Sequence, residues 1–303
     1  MEDKKILVTG GAGFIGSHLV NTIKNDNEVL VIDNLTEGDR DNIGEKVNFQ
    51  KLDIRNKSDL DEAVKAFNPD IVFHLAAQNN AMGSIENPSK TIDINVKGTV
   101  NLLEACRKHD VQKIVYASSG GLSYGEAEDV PTTETENLEP VYPYGVSKAS
   151  GSLFVKDYGR RYDLDFAIMR LGSVYGPRAN GGVIKNFFQK IAEDEKPVIY
   201  GDGLQSRDFI YVSDVVNGLV AGAEKGYGIY NLSTGTQISI KHLLEKIGEI
   251  TDLGLKADYE DRWQGDIDRC ELSIKKAEQD LDWRPEIDLY EGLIKCRDHY
   301  LEE

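Results

Sequence analysis

Tyr144 and Lys148 stand four residues apart in Tyr144-Gly145-Val146-Ser147-Lys148. That spacing is about one helical turn, so a phenol and an ammonium can share one helix face. A free tyrosine titrates near ~10 and is a poor base at neutral pH. A nearby cation favours the phenolate, and bringing the group to about 7 takes roughly 4 kcal/mol of stabilisation. Tyr144 is therefore the candidate proton acceptor, with Lys148 as its cationic support. A second constellation lies near the start of the chain. Gly10, Gly13 and Gly16 follow Ile6-Leu7-Val8 and precede the helically spaced Ile15, Leu19, Val20 and Ile23. In a strand–turn–helix of this kind the first glycine permits the turn and the second lets backbone N–H groups approach a pyrophosphate. The third lets helix and sheet pack closely. Phe14 and Ile15 open the helix and aim unpaired N–H groups and its positive end at the phosphates. About twenty residues on, the run Glu28–Asp33 ends in an acid that can accept both adenosine ribose hydroxyls and repel a 2′-phosphate. Asn34, Leu35, Thr36, Glu37 and Gly38 bring no cation, and Arg40 alone nearby could favour the phosphorylated cofactor. The two constellations together predict bound NAD and a hydride transfer. Lys148 can also hold the nicotinamide ribose, and the positive nicotinamide ring would help the phenolate.

The surrounding pattern supplies elements to position these groups. Apolar runs recur at 47–53, 71–77, 113–119 and 166–171, separated by helical segments expected near 58–67, 91–109 and 145–162. Such runs indicate a doubly wound parallel sheet of Rossmann type, covered on both faces. Ligands bind beyond the carboxyl ends of such strands, so Gly10, Asp33, Asp53, Ala76, Ser118 and Leu171 should share one rim. After about residue 172 the pattern breaks into loops and short elements. We read residues 1–172 as the dinucleotide-binding domain, with returning segments within 209–232, and 173–303 as mainly a smaller substrate-binding lobe.

The 303-residue chain carries a net charge of −17, which argues against nucleic acid or an anionic membrane as a partner. No apolar run approaches the roughly 20 residues of a membrane span, and the first strand begins too early to leave room for a signal peptide. Cys106, Cys270 and Cys296 are odd in number and dispersed, as expected of reduced cytoplasmic thiols. No ligand spacing suggests a metal, and His18 and His74 are expected to be packed or hydrogen-bonded.

With these motifs the chain resembles the extended short-chain dehydrogenases/reductases of the NAD-dependent epimerase/dehydratase family, and among them it is most similar to the UDP-sugar 4-epimerases. The resemblance runs through Leu52-Asp53-Ile54-Arg55, His74-Leu75-Ala76-Ala77-Gln78 and Asn95-Val96-Lys97-Gly98-Thr99. It continues in Arg170-Leu171 with Val174-Tyr175-Gly176-Pro177-Arg178, in Tyr200-Gly201-Asp202-Gly203 with Arg207-Asp208-Phe209-Ile210, and in Leu281-Asp282-Trp283-Arg284-Pro285. It implies that Asp53 and Ile54 bracket adenine and that Leu75, Ala76, Ala77 and Gln78 line the pyrophosphate and nicotinamide side. Asn95 would be a supporting polar group, while Asn34, Leu35, Thr36, Gly38, Ser118 and Leu171 join the cofactor set. For a UDP-sugar substrate it implies Arg207 at the diphosphate, Asp266 at the uridine ribose, and Ser173, Val183, Tyr200 and Arg262 nearby. A homodimer formed by the helices near 91–109 and 145–162 is implied too, with Val96, Val100 and Leu103 as apolar positions beyond one sheet-facing stripe.

Departures from the family pattern bear on the substrate. Gly120 stands where a Ser or Thr usually bonds the sugar 4-OH, leaving Ser119, or less directly Ser118 or Ser123, to supply the hydroxyl. Ser173 replaces a common Asn, and Trp263 stands at the usual position of a diphosphate-binding Arg, with Arg262 one residue earlier. Gly121 and Leu122 replace the Asp-Glu pair of 4,6-dehydratases, and Leu122 the Glu of decarboxylases. Epimerisation of a UDP-sugar, of the UDP-glucose/UDP-galactose type, is the expected reaction. The alternatives are another nucleotide-sugar-modifying enzyme of the family, namely a UDP-GlcNAc or UDP-glucuronate 4-epimerase, a dehydratase, a decarboxylase or a reductase that releases its cofactor, and, more remotely, a non-catalytic NAD-binding module. Gly120, Gly121, Gly172 and Ser173 put little side-chain volume near the sugar, which predicts a roomy site tolerant of N-acetyl groups.

Overall fold

The computed structural model describes residues 1–301. Seven parallel strands form the central sheet in the order β3-β2-β1-β4-β5-β6-β10. They are β1 (Lys5–Thr9), β2 (Glu28–Asp33), β3 (Asn48–Lys51), β4 (Ile71–His74), β5 (Lys113–Ser119), β6 (Asp165–Leu171) and β10 (Gly228–Leu232). The continuous apolar runs bury alternate residues on opposite faces. Ile6, Val8, Val29, Val31, Phe73, Val115 and Met169 pack into one cluster; Leu7, Leu30, Ile32, Val72, Ile114, Tyr116 and Ile168 pack into the other. Reversal of strand order between β1 and β4 opens the crevice in which such sheets bind ligands.

Strands β3 and β4 are shorter than the apolar runs predict. The chain leaves the sheet after Lys51 and His74, and Leu52, Asp53 and Leu75 to Gln78 become loop walls of the crevice. Helices α1 (Phe14–Ile23), α2 (Lys57–Phe67), α3 (Ala81–Glu86), α4 (Pro88–Ile92), α5 (Gly98–Lys108), α6 (Gly121–Tyr124) and α7 (Tyr142–Arg161) belong to this half. Residues Asp93–Lys97 form a π-helical turn between α4 and α5, so one expected helix is three joined segments. Asn56 and Asn80 cap α2 and α3 by accepting the N–H groups of Asp59 and Gly83.

The rest of the chain adds β7 (Ser173–Tyr175), β8 (Val198–Tyr200), β9 (Ser206–Tyr211), β11 (Gln237–Ser239) and β12 (Asp258–Glu260), with helices α8 (Val183–Ala192), α9 (Val212–Lys225), α10 (Ile240–Thr251), α11 (Lys275–Leu281) and α12 (Leu289–Leu301). Strands β11, β9 and β7 form one small sheet, and β12 and β8 another. The return to the central sheet is wider than the 209–232 segment: Ala277, Leu281 and Trp283 also join the core beneath it.

Candidate active site

Beyond the carboxyl ends of the central strands lie two adjoining cavities. The smaller, about 350 Å³, is lined by all six rim residues Gly10, Asp33, Asp53, Ala76, Ser118 and Leu171. Its floor is the glycine turn. Gly10 has φ +72°, and a Cβ there would lie 2.6 Å from the Ala76 nitrogen. A Cβ on Gly16 would lie 2.1 Å from the Gly10 carbonyl oxygen, whereas at Gly13 the nearest atom is 3.3 Å away. Gly13 caps α1 without a side-chain acceptor, so the first-turn N–H groups stay available to an anion. This cradle fits the dinucleotide that the sequence predicts.

Asp33 is buried at the end of β2. Its Oδ2 accepts the Ala12 N–H at 3.0 Å and its Oδ1 the Leu35 N–H at 2.8 Å, so the acid also braces the glycine turn. A carboxylate has about four lone-pair sites, which leaves capacity for ribose hydroxyls. Asn34, Thr36, Gly38 and Ile54 line the cavity; Leu35, at φ +58°, shapes the turn without lining it. Arg40 donates to the carbonyls of Gly44, Glu45 and Val47 and packs over Phe49, so this cation is engaged away from the ribose. Asp53 is gripped by Arg55 through Nε and Nη2 at 2.9 and 2.7 Å, which holds its carboxyl far below the usual range.

Leu75, Ala76, Ala77 and Gln78 line the same cavity. Asn95 does not line it and acts through Gln78, accepting its N–H at 2.7 Å and donating to its carbonyl at 2.9 Å. The Asn95 amide also donates to Ser147 Oγ at 2.9 Å, and Ser147 donates to the Tyr144 carbonyl at 2.7 Å. One side chain in a π-helical turn, a feature frequent at functional sites, thus ties the cofactor wall to the turn bearing Tyr144. Nearby, His74 lies fully buried between Thr9 at Nδ1 (2.7 Å) and Thr99 at Nε2 (2.9 Å). Burial pushes it down to about 3, so it is a neutral structural histidine.

The larger cavity, about 980 Å³, adjoins the first and shares Tyr144, Ser118 and Leu171 with it. Tyr144 stands at the junction, whereas Lys148 lines only the smaller cavity. Ser84 Oγ accepts the Tyr144 N–H at 3.1 Å, capping α7 from α3 where the N-cap residue Val141 has no acceptor of its own. Among the described residues no hydrogen bond joins the Tyr144 phenol to Lys148, whose ammonium lies over the Tyr116 ring, 4.7 Å from its centroid. Burial raises Tyr144 to about 12 and lowers Lys148 to about 7. The protein alone therefore does not supply the phenolate expected near neutrality. Desolvation disfavours the charged form of both groups.

Ser119 is half-buried on the larger cavity, while Ser118 Oγ is paired with Ser152 at 2.9 Å. Ser123 Oγ is buried without a partner among the described residues and lies off both linings. Val183, Tyr200, Ser173, Arg207 and Asp266 line the larger cavity; Gly120 and Arg262 do not. Arg262 instead pairs with Asp268 at 2.5 Å and donates to the Asp266 carbonyl, and Trp263 takes the place on the wall. Arg207 Nη2 pairs with Asp266 at 2.5 Å, and Nη1 donates to the carbonyls of Ser206 and Ile267.

The small residues do not make the room expected of them. A Cβ on Gly120 would meet Leu272 at 2.4 Å, on Gly121 Cys270 Sγ at 2.9 Å, and on Gly172 Ser233 Oγ at 2.0 Å. These glycines admit close neighbours from distant segments. Open space lies instead at Gly181 and Gly182, where an added Cβ meets nothing within 4 Å. Tyr142 and Cys270 also line the cavity, and the sequence reading missed both. Tyr142 has φ +60°, rare for a bulky residue, and its buried hydroxyl has no partner among the described residues. No spacing signals such a residue, because strain arises from tertiary context. Among the described residues no cluster could hold a metal ion, and no helix is long and apolar enough to cross a membrane.

A Rossmann-type sheet with a glycine-turn dinucleotide cradle and a Tyr-Lys pair beside a second cavity defines an enzyme of the short-chain dehydrogenase/reductase class. Residues 6–233 match the NAD dependent epimerase/dehydratase family, and the chain belongs to it. NAD is its cofactor. A relative from Methanocaldococcus jannaschii is 45% identical over 293 residues, 95% of each chain. Among solved structures, the Thermotoga maritima UDP-glucose 4-epimerase with UDP-glucose is 35% identical, with TM-score 0.95 and 98% of each chain covered. The UDP-N-acetylglucosamine 4-epimerase of Methanobrevibacter ruminantium, in complex with UDP-N-acetylmuramic acid, is also 35% identical, with TM-score 0.93 and coverage of 100% of this chain and 99% of the other.

Proposed function

We propose that the protein is a UDP-sugar 4-epimerase, of the UDP-glucose/UDP-galactose type, working through a transient 4-keto sugar. The observation that carries this is the place of Tyr144 at the junction of the two cavities, with Lys148 confined to the cofactor side. Gly121 and Leu122 on the sugar wall support epimerisation over dehydration, since neither can supply the acid and base that eliminate water.

In this reading Tyr144 Oη takes the proton of the sugar 4-hydroxyl, and Ser119 Oγ, which has no partner among the described residues, hydrogen-bonds the same oxygen. Bound NAD supplies a reversible acceptor for the C4 hydride. Lys148, charged when the phenolate forms, offsets its negative charge. Arg207 has five N–H donors, three of them engaged, leaving two for a diphosphate. A larger cavity of about 980 Å³ gives the 4-keto sugar space to turn its other face. Tyr144 then returns the proton, and no net oxidation results.

Incubation of the purified protein with UDP-glucose, UDP-galactose, their N-acetyl forms and UDP-glucuronate, followed by chromatographic separation, tests the proposal. A 4-epimer without accumulation of reduced cofactor is expected. Net reduction of NAD, or loss of water or carbon dioxide from the sugar, would refute it.

We also propose a homodimer, but through other residues than those singled out from sequence. Leu103 is wholly buried in the sheet cluster, and Val96 and Val100 are half-buried. The outward apolar face is Val146, Leu153 (61% exposed) and Phe154 on α7, with Ile92 beside it. Leu153→Glu with Phe154→Glu should convert a dimer seen by light scattering to a monomer; a wild-type monomer at micromolar concentration would exclude it.

A further inference from the structure

Trp263 stands where the family resemblance implies a phosphate-binding cation, and its surroundings suit a different task. Strand β12 pairs in parallel with β8, placing Glu260 opposite Tyr200, and the Gly201 N–H donates to the Glu260 carbonyl at 2.8 Å. The chain then turns, with the Asp266 N–H donating to the Trp263 carbonyl at 3.2 Å. This delivers the indole against Tyr200, ring centroids 4.7 Å apart and planes at 45°. Both rings line the larger cavity. Trp263 is 38% exposed, and its indole N–H has no partner among the described residues. The other tryptophan, Trp283, is buried and donates to the Asp214 carbonyl at 3.0 Å.

The cavity has a direction. Tyr144 marks the end that meets the cofactor. Two residues earlier the Tyr142 ring comes within 3.8 Å of where a Gly265 Cβ would stand, and Gly265 adjoins the Asp266 that Arg207 holds. Trp263 and Tyr200 follow. A ligand with its sugar at Tyr144 and its diphosphate at Arg207 therefore reaches the aromatic pair with its base.

We propose that Trp263, tilted against Tyr200, is the stacking wall for the pyrimidine base of the nucleotide sugar. The assignment rests on the nucleotide-sugar reading and adds to it how the base is gripped: by a π-face at position 263, beside an Arg207 that still serves the diphosphate. An aromatic face left open to a cavity gains by being covered, and a base can stack on it whatever its hydrogen-bonding edge.

Tryptophan emission of the NAD-bound protein, titrated with UDP and separately with inorganic pyrophosphate, tests this, because only Trp263 is open to a ligand. UDP should change the emission and pyrophosphate should not. Trp263→Phe should lose the signal yet bind UDP within about threefold of wild type by calorimetry, while Trp263→Ala should bind about tenfold more weakly or worse. Unchanged wild-type emission on calorimetrically confirmed UDP binding would overturn the stacking wall and leave the nucleotide-sugar reading intact, as would a folded Trp263→Ala with wild-type affinity. Absence of any UDP binding would remove both.

Discussion

Replacing Lys148 by Met should stabilise the cofactor-free protein while destroying its activity, and the gain should depend on pH in a definite direction. Lys148 is 4% exposed and its ammonium has an aromatic face as its neighbour, with no carboxylate to pair with it among the described residues. Burial lowers Lys148 from its ordinary 10.5 to about 7. That difference corresponds to about 5 kcal/mol of lost preference for the charged form. Between these values the unfolded chain binds more protons than the folded one, so stability rises with pH across the window. The penalty is complete below the folded value and vanishes above the unfolded one. At about pH 6 nearly all of it is present, and at about pH 9 roughly 2 kcal/mol remains, so the advantage of Lys148→Met should be about 3 kcal/mol larger at the lower pH. Urea unfolding of both proteins, freed of NAD, at the two pH values measures the difference. Equal gains, or a gain growing with pH, would refute the idea that the site holds a desolvated cation at the expense of stability.

Tyr144→Phe keeps the ring and removes the proton acceptor, so turnover should fall by about 10²- to 10⁴-fold with NAD retained; activity within tenfold of wild type would exclude the assigned role. Ser119→Ala should lose about 10²-fold in kcat/KM, and Ser123→Ala, whose hydroxyl lies off both linings, should not; the reverse order would move the hydrogen-bond role to Ser123. Gly16→Ala sets a methyl 2.1 Å from the Gly10 carbonyl oxygen, backbone that cannot rotate away. It should destabilise by about 3 kcal/mol and release NAD, and a variant that melts and binds as wild type would show that the turn can yield.

The sequence alone determined the sheet and the cofactor cradle. Continuous apolar strands have one arrangement that buries both faces, and a glycine turn between strand and helix has one geometry, so Gly10, Gly16 and Asp33 were legible from order and spacing. Spacing also put Tyr144 and Lys148 on one helix. It did not decide where their charges rest, because the burial that raises Tyr144 and lowers Lys148 is made by segments remote in sequence, Tyr116 on β5 and Ser84 on α3 among those that touch them. Helical periodicity shows that α5 is amphipathic but not which of its apolar positions meet the sheet, so Leu103 proved core, and only packing shows that α7 turns small residues inward and Leu153 to the surface. Glycine in sequence means absent volume; only tertiary structure reveals whether a neighbour fills it. At Gly120, Gly121 and Gly172 the filling atoms come from Leu272, Cys270 and Ser233, more than sixty residues away. The substrate wall is built from such distant segments, and that is why its shape was decided by packing and not by any local run of residues.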